Sequence, residues 1–174
     1  MLEGQFIEFS KDRPICLNPF SSFDISNQDA VEDSLAMLKT VIQMMAAPID
    51  GVNDKGAALL QLATDSAFKQ YGNKTNITNI AEFLLNNDDS LSQDLGKMLY
   101  PYTINGVYGK YFNGQSNVNL DKQLVVIELE ELKEKKDLKS VVVQMMVINI
   151  TSKMFLGDRK TLFNIVFDEE SSTK

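Results

Sequence analysis

The hydrophobic residues of this chain change their period twice along its length, and that succession limits the folds open to it. Gln5-Phe6-Ile7-Glu8-Phe9 alternates at the two-residue period of a strand. From Ser26 to Tyr100 the period is helical, and from Leu124 onward continuous apolar runs return on either side of another helical stretch. Such a chain is expected to be α/β, with its strands joined by helical crossovers.

Within the first twenty residues, the turn chemistry of Lys11-Asp12-Arg13-Pro14 and the run Ile15-Cys16-Leu17, ending at Asn18-Pro19, predict two brief strands around a turn. Val31, Leu35, Leu38, Ile42 and Met45 form one face of a first helix. Ser26 with Asp29 resembles a capping box for it, and Pro48 stops it near Ala47. A second helix is predicted from Asp54 to about Tyr71, with Leu60, Ala63, Ala67 and Tyr71 inward and Gly72-Asn73 ending it. Thr78 is expected to cap a third helix carrying Ile80, Phe83 and Leu84. Asp89 or Ser90 is expected to cap a fourth carrying Leu91, Leu95 and Met98, closed before Pro101.

Tyr102 to Asn119, rich in Gly, Asn and Tyr, reads as a loop of several turns. Leu124-Val125-Val126-Ile127 predicts a strand covered on both faces. Asp137 is expected to cap a helix with Leu138, Val142, Met145 and Met146 inward, and Leu162 to Phe167 reads as a further strand, completing a βαβ unit. The resulting division is an N-terminal β segment of the core at residues 1–25, an all-helical insertion at 26–101, a Gly- and Tyr-rich connector at 102–122 and a βαβ core at 123–174.

Composition removes several chemistries. There is no histidine, which excludes histidine-based nucleophile pairs, general acid/base work and metal ligation. Cys16 is the only cysteine, so no internal disulfide or CxxC pair exists, and a reducing compartment is expected. Seventeen Lys and Arg face 24 Asp and Glu, for a formal charge of −7, so strong nucleic-acid binding is not expected. No transmembrane segment is expected: Ser140 to Ser152 is uncharged, but it is too short to span and is broken by Gln144 and Asn149. The N-terminus, with Glu3, does not read as a secretory signal.

The strand Ile165-Val166-Phe167 runs into Asp168-Glu169. In P-loop nucleotidases the second acidic (Walker B) motif has this form: the strand delivers an Asp to the water shell of Mg²⁺, and a Glu beside it activates the attacking water. A solvated strand end has the same form. The partner motif is absent, because Gly109-Lys110 is followed by Tyr111 and Gly96-Lys97 by Met98, with no hydroxyl for the metal. Residues 105–110 therefore read as a turn-rich connector. The charges from Glu128 to Lys136 read as a solvated face, Met44-Met45 and Met145-Met146 as core, and Cys16 as buried. Tyr100, Tyr102, Tyr108 and Tyr111 cluster in a loop and read as an aromatic surface, although Lys97 and Lys110 alone are basic nearby, too few to favour stacking of single-stranded nucleic acid.

Several segments, in order and over nearly the whole chain, resemble the TraC-type ATPases of conjugative transfer and type IV secretion. They are residues 4–10 (GQFIEFS), 14–20 (PICLNPF), 108–114 (YGKYFNG), 124–133 (LVVIELEELK), 138–146, 156–159 and the strand into Asp168-Glu169. The resemblance implies a partial RecA-like (P-loop NTPase) parallel sheet with an inserted helical subdomain. The chain is then expected to be the middle of a motor domain, beginning after the phosphate-binding loop. It implies Asp168 as the Mg²⁺-associated residue, through water, and Glu169 as the catalytic one, in an intact parent that uses Mg-ATP. Asn18-Pro19-Phe20 would be a structural turn. With the phosphate loop missing, no ATPase activity and no cofactor are expected of this chain alone. Self-association or other type IV secretion subunits are the implied partners. The implied location is the cytoplasm, peripheral to the inner membrane. A non-enzymatic interaction module is the alternative. In this sequence Glu170 and four further residues follow the acidic pair, where the family continues with Ala and an aromatic.

Overall fold

The computed structural model of the chain describes residues 4–9, 15–118, 124–156 and 166, with side chains up to residue 151 in the third of these stretches. Strand β1 (Gly4–Glu8) pairs in parallel with β2 (Leu124–Glu128), in a register that runs from Gly4 beside Leu124 to Glu8 beside Glu128. Parallel strands require a crossover, and here most of the chain lies inside it. It comprises a 3-10 turn (Pro19–Ser22), α1 (Gln28–Ala46), α2 (Asp54–Tyr71), α3 (Ile77–Leu85), α4 (Ser90–Met98) and 3-10 turns at Tyr100–Tyr102 and Gly109–Tyr111. After β2 come a 3-10 turn (Glu130–Leu132) and α5 (Lys136–Leu156). The α/β expectation thus appears as a two-stranded parallel pair with a large helical crossover. The strand expected at residues 162–167 lies outside the described residues, except Val166, which is in no regular element and is 87% exposed.

Asparagine side chains start most of the helices. Asn27, rather than Ser26, caps α1, accepting from Ala30 N at 3.1 Å; Ser26 instead donates its hydroxyl to Asp24 at 2.6 Å. Asn53 caps α2, whose bounds are those expected. Asn76 and Asn79 form a reciprocal box at α3, each side-chain oxygen accepting the other's N–H at 3.1 Å, so Thr78 falls inside the first turn rather than at the cap. Asp89 caps α4 through Ser92 N at 3.0 Å. Asp137 lies in the first turn of α5 rather than at its cap, where a carboxylate still complements the helix dipole.

One continuous core runs from Ile7 and Phe9 through Leu38, Ile42, Leu60, Ile80 and Leu99 to Leu138 and Val142. Helix α1 packs on both α5 and α2, while α2, α3 and α4 pack on one another. A Cβ built on Gly96 of α4 would lie 2.8 Å from Leu85 Cγ, so those two helices meet closely. Tyr71 and Met98, expected inward, are exposed at helix ends.

The strand pair departs from expectation at β2. Ile7, Val125 and Ile127 face the core, but Phe6, Leu124 and Val126 on the opposite face are 61%, 51% and 45% exposed. The four-residue apolar run records apolarity and not coverage; the helices of the core lie on one side of the pair. The second strand expected at Ile15-Cys16-Leu17 is not a strand. Its backbone pairs with the irregular connector instead: Leu17 N donates to Tyr111 O at 2.6 Å and Asn117 N to Cys16 O at 3.2 Å.

Candidate functional site

The residues that the fold draws together from far apart are two carboxamides, Asn18 buried and Asn113 half-buried. Asn18 precedes Pro19, which disfavours helical backbone at Asn18 and sets the start of a 3-10 turn. Its side-chain oxygen accepts from Phe20 N at 3.2 Å, and its Nδ2 donates to Thr75 O and Gly114 O, both at 2.9 Å. It is only 3% exposed. Asn113 fills all four valences of its carboxamide. Oδ1 accepts from Thr78 N at 3.1 Å and Thr78 Oγ1 at 2.6 Å, while Nδ2 donates to Tyr102 O at 2.7 Å and Gly109 O at 2.8 Å. The Thr78 hydroxyl in turn accepts from Ile104 N at 2.8 Å. Cys16 N donates to Asn117 Oδ1 at 2.9 Å, and Ser116 N to Ser21 Oγ at 2.9 Å.

This is a neutral, saturated network. Its donors and acceptors serve one another, and none of its members titrates near neutrality. Chemically it clasps; it does not react. The Gly109-Lys110 turn likewise offers no anion cradle, because Gly106, Tyr108, Gly109, Tyr111 and Phe112 all spend their N–H groups on connector carbonyls.

The tyrosines do not form the expected aromatic surface, because the connector folds most of them inward. Tyr102 and Tyr111 are buried, with Tyr102 5.6 Å from Phe112 and 5.4 Å from Tyr108 between ring centroids. Burial, then Asp137 and Tyr108, push the Tyr102 hydroxyl up to about 12. Tyr100 alone among these four is exposed at the surface, Lys110 lies over the Tyr111 ring at 4.9 Å, and Lys97 pairs with Asp94 at 2.9 Å. No row of aromatic faces flanked by free cations is formed.

Carboxylates gather at the end of the strand pair where parallel sheets carry their ligands. The register sets Glu8 beside Glu128, whose carboxylate accepts Glu130 N at 2.9 Å. Among the described residues no group of three or more acidic or cysteine side chains could hold a metal ion. Asp168 and Glu169 lie outside the described residues. Elsewhere Asp89 is held below the usual carboxylate range by Lys55 at 2.7 Å and by the Ser92 N–H, and partial burial raises Asp65. Sequence reasoning found the turn at Asn18 but not its partners, because no local pattern announces a hydrogen bond across 57 or 96 residues.

No family model matches the chain. Protein TraC of Escherichia coli (strain K12) is 26% identical over 180 residues, an alignment that covers 97% of this chain. The chain is similar to TraC over nearly its whole length. It spans 19% of the length of TraC. The structure of VirB4 of Thermoanaerobacter pseudethanolicus superposes with a TM-score of 0.70 at 14% identity, over 90% of this chain and 64% of that one, so the two share a fold. The TraC-like segments 14–20 and 108–114 are the two that meet at the clasp: one carries Asn18, the other Asn113 and Gly114. Among the described residues no helix is long and apolar enough to cross a membrane.

Proposed function

We propose that this chain is a segment of the motor ATPase of a type IV secretion or conjugative transfer system, cytoplasmic and peripheral to the inner membrane. The observation that carries the reading is the TraC alignment over 97% of the chain, supported by the VirB4 fold. On this reading β1 and β2 belong to a RecA-like sheet and residues 26–101 are its helical insertion. In the intact parent, Asp168 is the residue associated with the water shell of Mg²⁺ and Glu169 the one that activates the attacking water. The sequence has no loop of the form that cradles phosphates, so nucleotide binding depends on the remainder of such a parent. Titration calorimetry of the chain with Mg-ATP tests this division. The reading expects no heat of binding. A dissociation constant of about 100 μM or tighter, abolished in Asp168→Ala, overturns it.

A second reading, a self-associating or subunit-binding module, is favoured by one feature, the exposed apolar face of Phe6, Leu124 and Val126. On this reading Phe6→Glu abolishes concentration-dependent association in sedimentation velocity. Association that is unchanged by Phe6→Glu removes it.

A further inference from the structure

The two carboxamides do not act separately. Asn18 reaches Thr75 O, at the end of the link between α2 and α3, and Gly114 O in the connector. Asn113, the residue before Gly114, reaches Thr78 in the first turn of α3. The chain from Thr75 to Thr78 closes the circuit, so Asn18, Thr75, Thr78, Asn113 and Gly114 form a closed ring of backbone and hydrogen bonds. Three parts of the chain meet in it: residues 15–22, the start of α3 and the connector. Three outlying bonds tie into the same ring: Leu17 N to Tyr111 O, Ser116 N to Ser21 Oγ and Ile104 N to Thr78 Oγ1. Helices α1 and α5, by contrast, pack on each other and bury apolar side chains in the core, Val41 and Ile42 on one and Val142 and Met145 on the other.

We infer that this ring is a latch: it fastens the helical crossover to the segment after β1, and it opens as one local unit without unfolding the α1–α5 layer. The physical reason is the cost of leaving its members unpaired. A carboxamide that fills three or four valences at once cannot lose one partner without exposing others, so the bonds open together. The α1–α5 layer is held by its own apolar burial, which it keeps when the ring opens.

Hydrogen exchange on the full chain tests the latch. Asn113→Asp is nearly isosteric, creates no cavity, and removes the two donations to Tyr102 O and Gly109 O. The amides of Leu17, Thr75, Thr78, Ile104 and Ser116 are expected to exchange about 10- to 100-fold faster, while those of Val41, Ile42, Val142 and Met145 stay within about twofold. Asn18→Asp must do the same to Thr78 and Ile104, which Asn18 does not touch. Thr78→Val, which deletes a single hydroxyl, gives the milder form of the test should either carboxylate prevent folding. Equal acceleration of the α1–α5 amides refutes local opening. Acceleration confined to the immediate neighbours of each substituted residue refutes the closed ring.

Discussion

Gly106 and Gly51 separate two reasons for which a chain needs glycine. Gly51 has φ +70° with nothing within 4 Å of a built Cβ; its need is torsional. Gly106 has no positive φ, but a Cβ there would run into the carbonyl oxygens of Tyr100 and Pro101 and the Pro101 carbonyl carbon. These are backbone atoms and cannot rotate aside. Both carbonyls are also in use, Tyr100 O by Thr103 N at 3.0 Å and Pro101 O by Tyr108 N at 2.8 Å. Gly106→Ala therefore forces the connector open: overpacking costs about 2 kcal/mol, and two weakened hydrogen bonds add about 1 kcal/mol each. The sum is about 4 kcal/mol, whereas Gly51→Ala costs about 1 kcal/mol for a left-handed alanine. With a urea m-value of about 2 kcal/mol/M, the midpoint falls by about 2 M for Gly106→Ala and by about 0.5 M for Gly51→Ala. If Gly106→Ala lowers the midpoint no more than Gly51→Ala, the close backbone approach in the connector is wrong.

Other outcomes follow from the electrostatics and the core. Tyr102, raised to about 12, should remain protonated in alkaline spectrophotometric titration past the ordinary tyrosine value of about 10. The group is an acid favoured neutral in the fold, so its stabilising contribution is full below about 10 and is lost as pH rises towards the folded value; Asp137→Asn should bring the folded value down. Asp89 is depressed, so its contribution is present above about 3.9 and is lost as pH falls through the lower folded value; Lys55→Met should raise the Asp89 pKa in an NMR titration. Leu38→Ala, in a fully buried position of α1, should cost about 2–5 kcal/mol in urea unfolding; a loss under 1 kcal/mol would contradict the packing of α1 against the core.

The helices were largely legible in the sequence because each carries a periodic face and a side chain able to cap, and α1, α2 and α4 have a Gly or Pro near their ends. Helix α2 is read to the residue for this reason. The errors of one or two positions at α1 and α3 have a common cause. Asn27 and Asn76 competed with neighbouring Ser26 and Thr78, all of them capable caps, and the backbone chose among them. The strand pair was legible as apolar but not as half-covered, because Leu124 and Val126 look the same whether a helix lies over them or water does. Ile15-Cys16-Leu17 had the composition of a strand, but its partner is the irregular backbone around Tyr111 and Asn117, which has no strand signature. The clasp was not legible at all. Asn113-Gly114 reads locally as a turn, and its four hydrogen bonds depend on where α3 and the connector come to rest.

The roles proposed for the acidic pair are tested most directly in the setting where a complete site can form. TraC carrying this chain in place of its matching segment is expected to hydrolyse ATP. Glu169→Gln should lower turnover about 100-fold or more, the scale of a lost general base, and Glu170→Gln should leave it within about twofold. Asp168→Ala should abolish Mg²⁺-dependent turnover. Hydrolysis by the folded hybrid that is indifferent to Glu169→Gln would contradict the assignment of this chain to the catalytic core of a transfer motor.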